Sequence, residues 1–215
     1  MARAPSRQSI RTDPIHYRVE LTDLKAHLFR VTLTILKPAA EQRVSLPVWI
    51  PGSYLVREFS KNLQSLQALQ ASRALAVEQL DKCSWQIKCA PDRPLVLSYQ
   101  VYALDNSVRA AWLDSSRGFF NGTSLCLRVD VQEARPHELE LSPGTEAARG
   151  AVATGRTPTK ITTPGFGSYQ ARGHDPQGAG PAAQGQFGTG PVVDPGCPHA
   201  LGVAGPPPAP AHKPP

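Results

Sequence analysis

Long apolar segments and clusters of basic residues are both missing from this chain of 215 residues. No stretch approaches the roughly 20 consecutive apolar residues that a membrane-spanning helix needs. The first residues, Met1 to Gln8, include arginines, but no apolar run follows them as it would in a secretory signal. The net charge of +6 is spread along the chain, and nowhere are five consecutive residues lysine or arginine. We therefore expect a cytoplasmic protein that has neither a membrane nor a nucleic acid as its partner.

Cysteine is scarce, with 4 residues in the whole chain. In a cytoplasmic protein these thiols should be reduced. Cys83 and Cys89 are too far apart in sequence for a short metal knuckle, and we expect ordinary buried thiols there. Cys197 and His199 have the right chemistry for two metal ligands, but they lie in a segment whose composition predicts disorder.

Recognisable catalytic motifs are also missing. The pattern His-Glu-x-x-His, which places two imidazole nitrogens on one zinc ion beside a general base, does not occur. Neither the Gly-x-Ser-x-Gly nucleophile elbow nor a Gly-rich phosphate loop is found. The sequence therefore predicts no catalytic residue, no metal ligand and no cofactor in this chain.

Glycine and proline are unevenly distributed along the chain. Of the 17 Gly and 22 Pro, 14 of each lie in residues 142–215. So many glycines and prolines, with few large apolar side chains, cannot offset the entropy of ordering the backbone. We therefore divide the chain into a disordered N-terminus (1–13), a folded domain (14–141) and a low-complexity tail (142–215).

Within the folded part, the dominant signal is the alternation of apolar and polar residues that half-buried strands show. Phe29, Val31, Leu33 and Ile35 give its clearest example. No segment has a convincing amphipathic helical pattern, although residues 62–70 are ambiguous. The alternation and the intervening turn residues predict an all-β antiparallel sandwich or saddle-like domain. Its ten predicted strands are His16–Leu21, His27–Ile35, Val44–Ile50, Asn62–Gln70, Leu75–Leu80, Cys83–Cys89, Leu95–Leu104, Val108–Leu113, Thr123–Val131 and Glu138–Leu141.

The stretch from Leu46 to Phe59 is the first candidate binding element. Leu46, Val48 and Ile50 alternate as in a strand that Pro51 and Gly52 then end. Beyond this turn, aromatic and charged side chains are grouped among apolar ones: Tyr54, Arg57 and Glu58. Two interpretations stay open, one a corner of a binding cleft and the other a packed turn whose charges face water.

A second polar group interrupts an apolar background further along the chain. Its members are Asp105, Arg109, Asp114, Arg117 and Asn121, and they alternate with Trp112, Phe119 and Phe120. Such a group either converges on a ligand or ties two loops together through internal ion pairs. The sequence does not decide between these alternatives.

Five segments of the chain together match the motifs of a known family. They are His16-Tyr-Arg-Val-Glu20, Ala26-His-Leu-Phe29, Leu46-Pro-Val-Trp-Ile-Pro-Gly-Ser-Tyr-Leu-Val-Arg-Glu-Phe59, Tyr99-Gln-Val-Tyr-Ala-Leu-Asp-Asn-Ser-Val-Arg109 and Gly118-Phe-Phe-Asn-Gly-Thr-Ser124. These segments resemble the glycyl aminopeptidase family, family sixty-one of the metallopeptidases. The resemblance covers residues 14–141 and implies a β-rich N-terminal domain, which in complete members precedes a thermolysin-like zinc domain and a PDZ domain; the family removes N-terminal Gly or Ala from peptides. Position in the matched motifs makes Tyr54, Arg57 and Asn121 candidate substrate-binding residues.

The sequence departs from that family pattern in the tail, where the zinc and PDZ domains are absent. Only faint echoes persist, at Gly165-Phe-Gly-Ser-Tyr169 and Pro198-His199, as if a GC-rich gene were read in a shifted frame. Our first hypothesis is a truncated, non-catalytic N-terminal domain whose partner is a peptide substrate or the missing zinc domain. Our second is a stand-alone β-sandwich interaction module with a flexible Pro-rich tail.

Overall fold

The computed structural model describes residues 13–50, 54–107, 109–115, 117–143, 150–153, 157–162, 166–171 and 201–204. These residues form sixteen strands, one four-residue α-helix and one 3-10 helical turn. The strands before residue 90 are β1 (Ile15–Asp23), β2 (Leu28–Ile35), β3 (Glu41–Ser45), β4 (Leu63–Gln70), β5 (Arg73–Leu75), β6 (Val77–Gln79) and β7 (Ser84–Lys88). Those after it are β8 (Leu95–Tyr102), β9 (Ala111–Leu113), β10 (Arg117–Phe120), β11 (Arg128–Val129), β12 (His137–Ser142), β13 (Gly150–Ala153), β14 (Thr157–Thr162), β15 (Phe166–Ala171) and β16 (Leu201–Ala204). The 3-10 turn spans Phe59–Asn62, and the helix α1 spans Gly122–Leu125.

An eight-stranded sheet is the largest element of the fold. Its strand order is β14-β15-β12-β1-β2-β8-β4-β5, and every pairing is antiparallel except that of β1 with β12. In its three central strands, every second side chain is buried, because successive residues of a strand point to opposite faces. The sheet therefore has one apolar face and one polar face, as the alternation of the sequence predicts.

Two four-stranded sheets, β13-β16-β10-β9 and β11-β3-β7-β6, complete the architecture. Residues from both belong to the same buried cluster as the apolar face of the large sheet. Phe29 of the large sheet meets Phe120 of β10 edge to face, with ring centroids 5.4 Å apart. This packing of sheets confirms the predicted all-β, sandwich-like fold.

Two buried tyrosines join the large sheet to the end of α1 and the residues that follow it. The Tyr17 hydroxyl donates to the carbonyl of Leu127 at 2.8 Å. The Tyr99 hydroxyl donates to the carbonyl of Leu125 at 2.8 Å and accepts from the N–H of Leu127 at 3.1 Å. Burial raises the pKa of Tyr99 well above its usual value. These bonds satisfy backbone groups that would otherwise be buried without partners.

The predicted third strand is displaced. Strand β3 ends at Ser45, and beyond it Val48 is exposed while Leu46 and Ile50 are buried. Pro47 has no N–H for a ladder, and the carbonyl of Val48 instead accepts hydrogen bonds from the N–H groups of residues 57 and 58. The expectation of a strand over Val44–Ile50 is therefore wrong beyond residue 45.

The predicted strand Thr123–Val131 is also wrong over its first half, where α1 forms. Asn121 caps the helix, since its side-chain Oδ1 accepts from the N–H of Thr123 at 3.0 Å. A strand follows only at Arg128–Val129. The residues before the helix form β10, where a Cβ on Gly118 would lie 2.8 Å from the Leu113 side chain.

The large sheet continues beyond the composition break at residue 141. Strand β15 pairs with β12 and with β14, and Phe166 and Tyr169 are buried. Two aromatic residues three positions apart anchor this strand. The glycines and prolines around it nevertheless give this part of the chain a composition that predicts disorder. Residues 1–12, 172–200 and 205–215 lie outside the described residues, and so do the predictions made for them, including those for Cys197 and His199.

Candidate functional site

A cleft of about 190 Å³ lies between the 55–62 segment, the end of β8, and the residues around β9 and α1. Its polar or charged side chains are Arg57, Lys61, Asn62, Asp105 and Ser124, together with Tyr102. Apolar side chains supply the rest of the wall: Leu55, Val56, Phe59, Val101, Ala110 and Ala111. Mixed walls of this kind are typical of small ligand sites.

Arg57 is a member of the cleft wall, and its backbone is firmly held. Its N–H donates to the carbonyl of Val48 at 2.8 Å, which closes the loop that leaves the end of the third strand. The next residue, Glu58, has a φ of 46°, a left-handed conformation that turns the chain into the 3-10 helix. The Arg57 side chain is only 16% exposed, and its guanidinium lies 4.0 Å from the carboxylate of Asp105.

Asn121 and Tyr54, the other two candidates from the sequence, lie elsewhere and do not line the cleft. Asn121 is buried, and its Oδ1 accepts from both the N–H and the hydroxyl of Thr123. Tyr54 is fully exposed on the loop before Arg57. The structure therefore brings only Arg57 into the cleft.

Four polar wall residues were not predicted as site residues: Lys61, Asn62, Tyr102 and Ser124. Lys61 and Asn62 belong to the 3-10 turn, a local structure that has no periodicity to reveal it. The hydroxyl of Ser124 lies within hydrogen-bond distance of two carbonyl acceptors, those of Ala110 and Asn121. The ion pair of Arg57 with Asp105 could not be predicted from the sequence, because only the tertiary fold brings these two residues together.

The second polar group of the sequence forms mainly local loop contacts. The carboxylate of Asp114 accepts from the Trp112 indole at 2.8 Å and from the N–H of Arg117 at 2.8 Å. The Arg117 guanidinium lies over the Trp112 ring, 5.8 Å from its centroid. Asp105 accepts from the N–H of Ser107, and it alone of this group also faces the cleft.

A hydrolytic zinc centre does not fit the residues that the structure describes. Among them, no group of three or more His, Cys, Asp or Glu side chains is placed to hold a metal ion. None of the cysteines in the described ranges, Cys83, Cys89 and Cys126, forms a disulfide; Cys83 and Cys89 are half-buried rather than buried as predicted. Desolvation raises the pKa of Cys83 and of Cys89, which opposes the thiolate form that binds metals. No step through zinc can therefore be derived from this part of the chain.

An exposed apolar surface borders the cleft. Its members are Val48, Trp49, Tyr54, Leu55 and Val56, all on the loop that returns from β3 to the 3-10 turn. Trp49 is 48% exposed, which is unusual for so large an apolar side chain. Contiguous exposed apolar groups often mark an interface with another protein or domain. In the described ranges, neither short helix has the length or apolar character needed to cross a membrane.

Comparison with known families identifies the family to which this domain belongs. Residues 16–175 match the Peptidase M61 N-terminal domain, so the chain belongs to this family of metallopeptidase N-terminal domains. The resemblance seen in the sequence is thereby confirmed, and the matched range extends past the predicted domain boundary at residue 141. No curated protein sequence matches the chain.

Several solved structures are similar to this chain. An aminopeptidase N family protein from Idiomarina loihiensis is 38% identical, with a TM-score of 0.74 over 89% of this chain and 29% of its own. An M1 zinc metallopeptidase from Deinococcus radiodurans is 14% identical, with a TM-score of 0.43 over 89% of this chain and 42% of its own. Aminopeptidase A from Legionella pneumophila, solved with aspartic acid, is 9% identical, with a TM-score of 0.45 over 89% of this chain and 21% of its own. The chain thus spans less than half the length of each of these relatives.

Proposed function

We propose that this chain is the non-catalytic N-terminal domain of a zinc aminopeptidase that releases N-terminal Gly or Ala from peptides. The family match carries the proposal, because it covers residues 16–175 and its reaction is that of a peptidase. The sequence has no His-Glu-x-x-His, so hydrolysis requires a zinc domain that these 215 residues do not provide. The role of this domain is to pack against that zinc domain and to form one wall of the substrate cleft.

The exposed apolar surface supports this role. Val48, Trp49, Leu55 and Val56 would be covered by a neighbouring domain, and the cleft lies directly beside them. Substrate sites commonly occur where two domains meet. A zinc domain seated on this loop would therefore place its peptide next to Arg57.

The test combines the chain with the separately produced remainder of the Idiomarina loihiensis relative, loaded with zinc. The chain alone should not cleave Gly- or Ala-peptides, with or without zinc. Together the two parts should associate, and Trp49→Ser or Leu55→Ser should weaken association at least tenfold, because such buried anchors dominate interfaces. Val131→Ser is the matched control, since Val131 is an exposed apolar residue outside this loop.

Cleavage by the chain alone would refute its non-catalytic role. The stand-alone interaction module would be favoured instead by two results together. The chain would be monodisperse and would not associate with the zinc domain, and Trp49→Ser would not change either property.

A further inference from the structure

The cleft beside the apolar loop has a charge pattern that suits an anion. Two cations, Arg57 and Lys61, face one carboxylate, that of Asp105. Arg57 and Asp105 are 4.0 Å apart, the outer limit of an ion pair, and Asp105 is 54% exposed. Such a pair is weak, because solvent screens it and its geometry is not bidentate. Two cations against one carboxylate give the described lining of the cleft a net positive charge.

Both cations belong to one short segment whose backbone is hydrogen-bonded at each of them. Arg57 is fixed by its backbone bond to Val48, and the N–H of Lys61 donates to the carbonyl of Glu58 at 3.1 Å. The same segment buries Phe59, whose side chain forms part of the cleft wall. The backbone that carries the two cations is therefore held before an anion binds, which limits the entropy lost on binding.

The size and lining of the cleft limit what that anion can be. Sites for drug-sized ligands measure about 300–1,000 Å³, whereas this cleft measures about 190 Å³. It can hold the end of a ligand but not a nucleotide. The neighbouring walls are apolar, from Val56 at the mouth to Ala110 and Ala111 deeper in. An anionic group attached to a small apolar residue fits this combination.

We propose that this cleft binds a carboxylate of a short peptide, held by Arg57 and Lys61 with Asp105 as a competing internal carboxylate. The inference rests on the proposed function, which makes peptides the substrates. A carboxylate suits the guanidinium because two parallel N–H groups can donate to its two oxygens. The carboxylate comes either from the C-terminus of the peptide or from an acidic side chain, and the experiment separates these sources.

The experiment is an NMR titration of the 215-residue chain with three peptides: Ala-Ala-Ala with a free C-terminus, its C-terminal amide, and the amide of Ala-Asp-Ala. The free acid should shift resonances of the cleft residues and bind about tenfold more tightly than its amide, as expected when a charged hydrogen-bonding partner is present. If Ala-Asp-Ala amide binds as tightly as the free acid, the site accepts acidic side chains; if it binds like Ala-Ala-Ala amide, the site reads the C-terminus.

Variants of the cleft residues complete the test. Arg57→Gln and Lys61→Gln should each weaken binding of the free acid about tenfold. Asp105→Asn should strengthen it severalfold, a gain that a merely damaged fold would not give. Arg73→Gln on β5, a cation that does not line the cleft, should leave affinity unchanged. Equal affinity for the acid and its amide, or no effect of Arg57→Gln and Asp105→Asn, would overturn the proposal.

These outcomes are distinct from those of the domain-association test. Binding of the carboxylate needs no zinc domain, and association through Trp49 needs no peptide. Association without a preference for free acids would refute only the carboxylate site. Loss of association with retained carboxylate binding would refute the role as a peptidase domain.

Discussion

Among single residues, a side chain that the sequence marks as a candidate for function can also have a structural part in the fold. Asn121 stands in a motif that resembles a peptidase family, and it was a candidate for contact with substrate. In the structure its Oδ1 caps α1 and also accepts from the Thr123 hydroxyl at 2.7 Å. The helix that Asn121 caps contains Ser124, which lines the cleft and whose hydroxyl lies 2.7 Å from the carbonyl of Asn121.

Asn121→Ala should lower the free energy of unfolding by about 1–2 kcal/mol, because it removes a helix cap and leaves buried donors without an acceptor. Asn121→Ser, which restores a side-chain oxygen at the cap, should recover part of this loss. Urea denaturation provides the measurement. Asn106→Ala, at an exposed loop position, is the control, and an equal effect of Asn106→Ala and Asn121→Ala would contradict the capping role.

At the scale of elements, regular strands were predictable from the sequence and the connections between them were not. Strands β1, β2 and β8 follow from alternation alone, because each has one face on the core. The segment after β3 alternates in the same way, yet Pro47 and the bonds of the Val48 carbonyl turn it away from the sheet. Alternation predicted a buried Val48, which is exposed instead, because the pattern does not contain which carbonyl accepts from which N–H.

The candidate site illustrates the same limit. Arg57 was found because it stands in a dense motif, whereas Lys61 and Tyr102 lie on a 3-10 turn and at a strand end. Their meeting in one cleft depends on the pairing of β4 with β8, a contact between distant parts of the chain. Local sequence patterns do not contain that pairing.

The turn between β6 and β7 gives a prediction about pH. Hydrogen bonds from the hydroxyl of Ser84, and then from the N–H and thiol of Cys83, lower the pKa of Asp81 from 3.8 to about 2. A carboxylate with a lowered pKa in the folded state stabilises the fold above its unfolded pKa, and this stabilisation is lost as the pH falls through the folded pKa. The stability advantage of the native chain over Asp81→Asn should therefore shrink between about pH 4 and about pH 2.

Thermal unfolding at a series of pH values measures this difference. Asp92→Asn, at an exposed loop carboxylate, is the control variant. If the difference in stability between the native chain and Asp81→Asn were the same at every pH, the charge of Asp81 would not be what stabilises this turn.

At the scale of the whole molecule, the folded domain extends beyond the composition break. Strand β15 covers the edge of β12 and contributes the buried side chains of Phe166 and Tyr169. An uncovered strand edge is a template for aggregation, and burial of each aromatic side chain is worth roughly 1.5–3 kcal/mol. The boundary of the folding unit is thus set by pairing and burial rather than by glycine and proline content.

A chain ending at residue 143 should therefore be less stable than one ending at residue 175 by about 3 kcal/mol or more, and should form larger species in size-exclusion chromatography. Tyr169→Ala in the longer chain should cost about 3–5 kcal/mol. Gln170→Ala, at the exposed neighbour on the same strand, is the control. Equal denaturation midpoints for the two chain lengths would place the end of the domain at residue 143 after all.

The parallel pairing of β1 with β12 has a consequence for biosynthesis. Ile15 lies opposite His137, so the ribosome must make more than a hundred further residues before β1 gains its second neighbour. The hairpin of β1 and β2 can form early, but one side of β1 stays open for many seconds of translation. Closing this long loop carries an entropic cost and delays the final assembly of the sheet. During that interval one edge of β1 has no strand to pair with, which exposes the nascent chain to edge-to-edge aggregation.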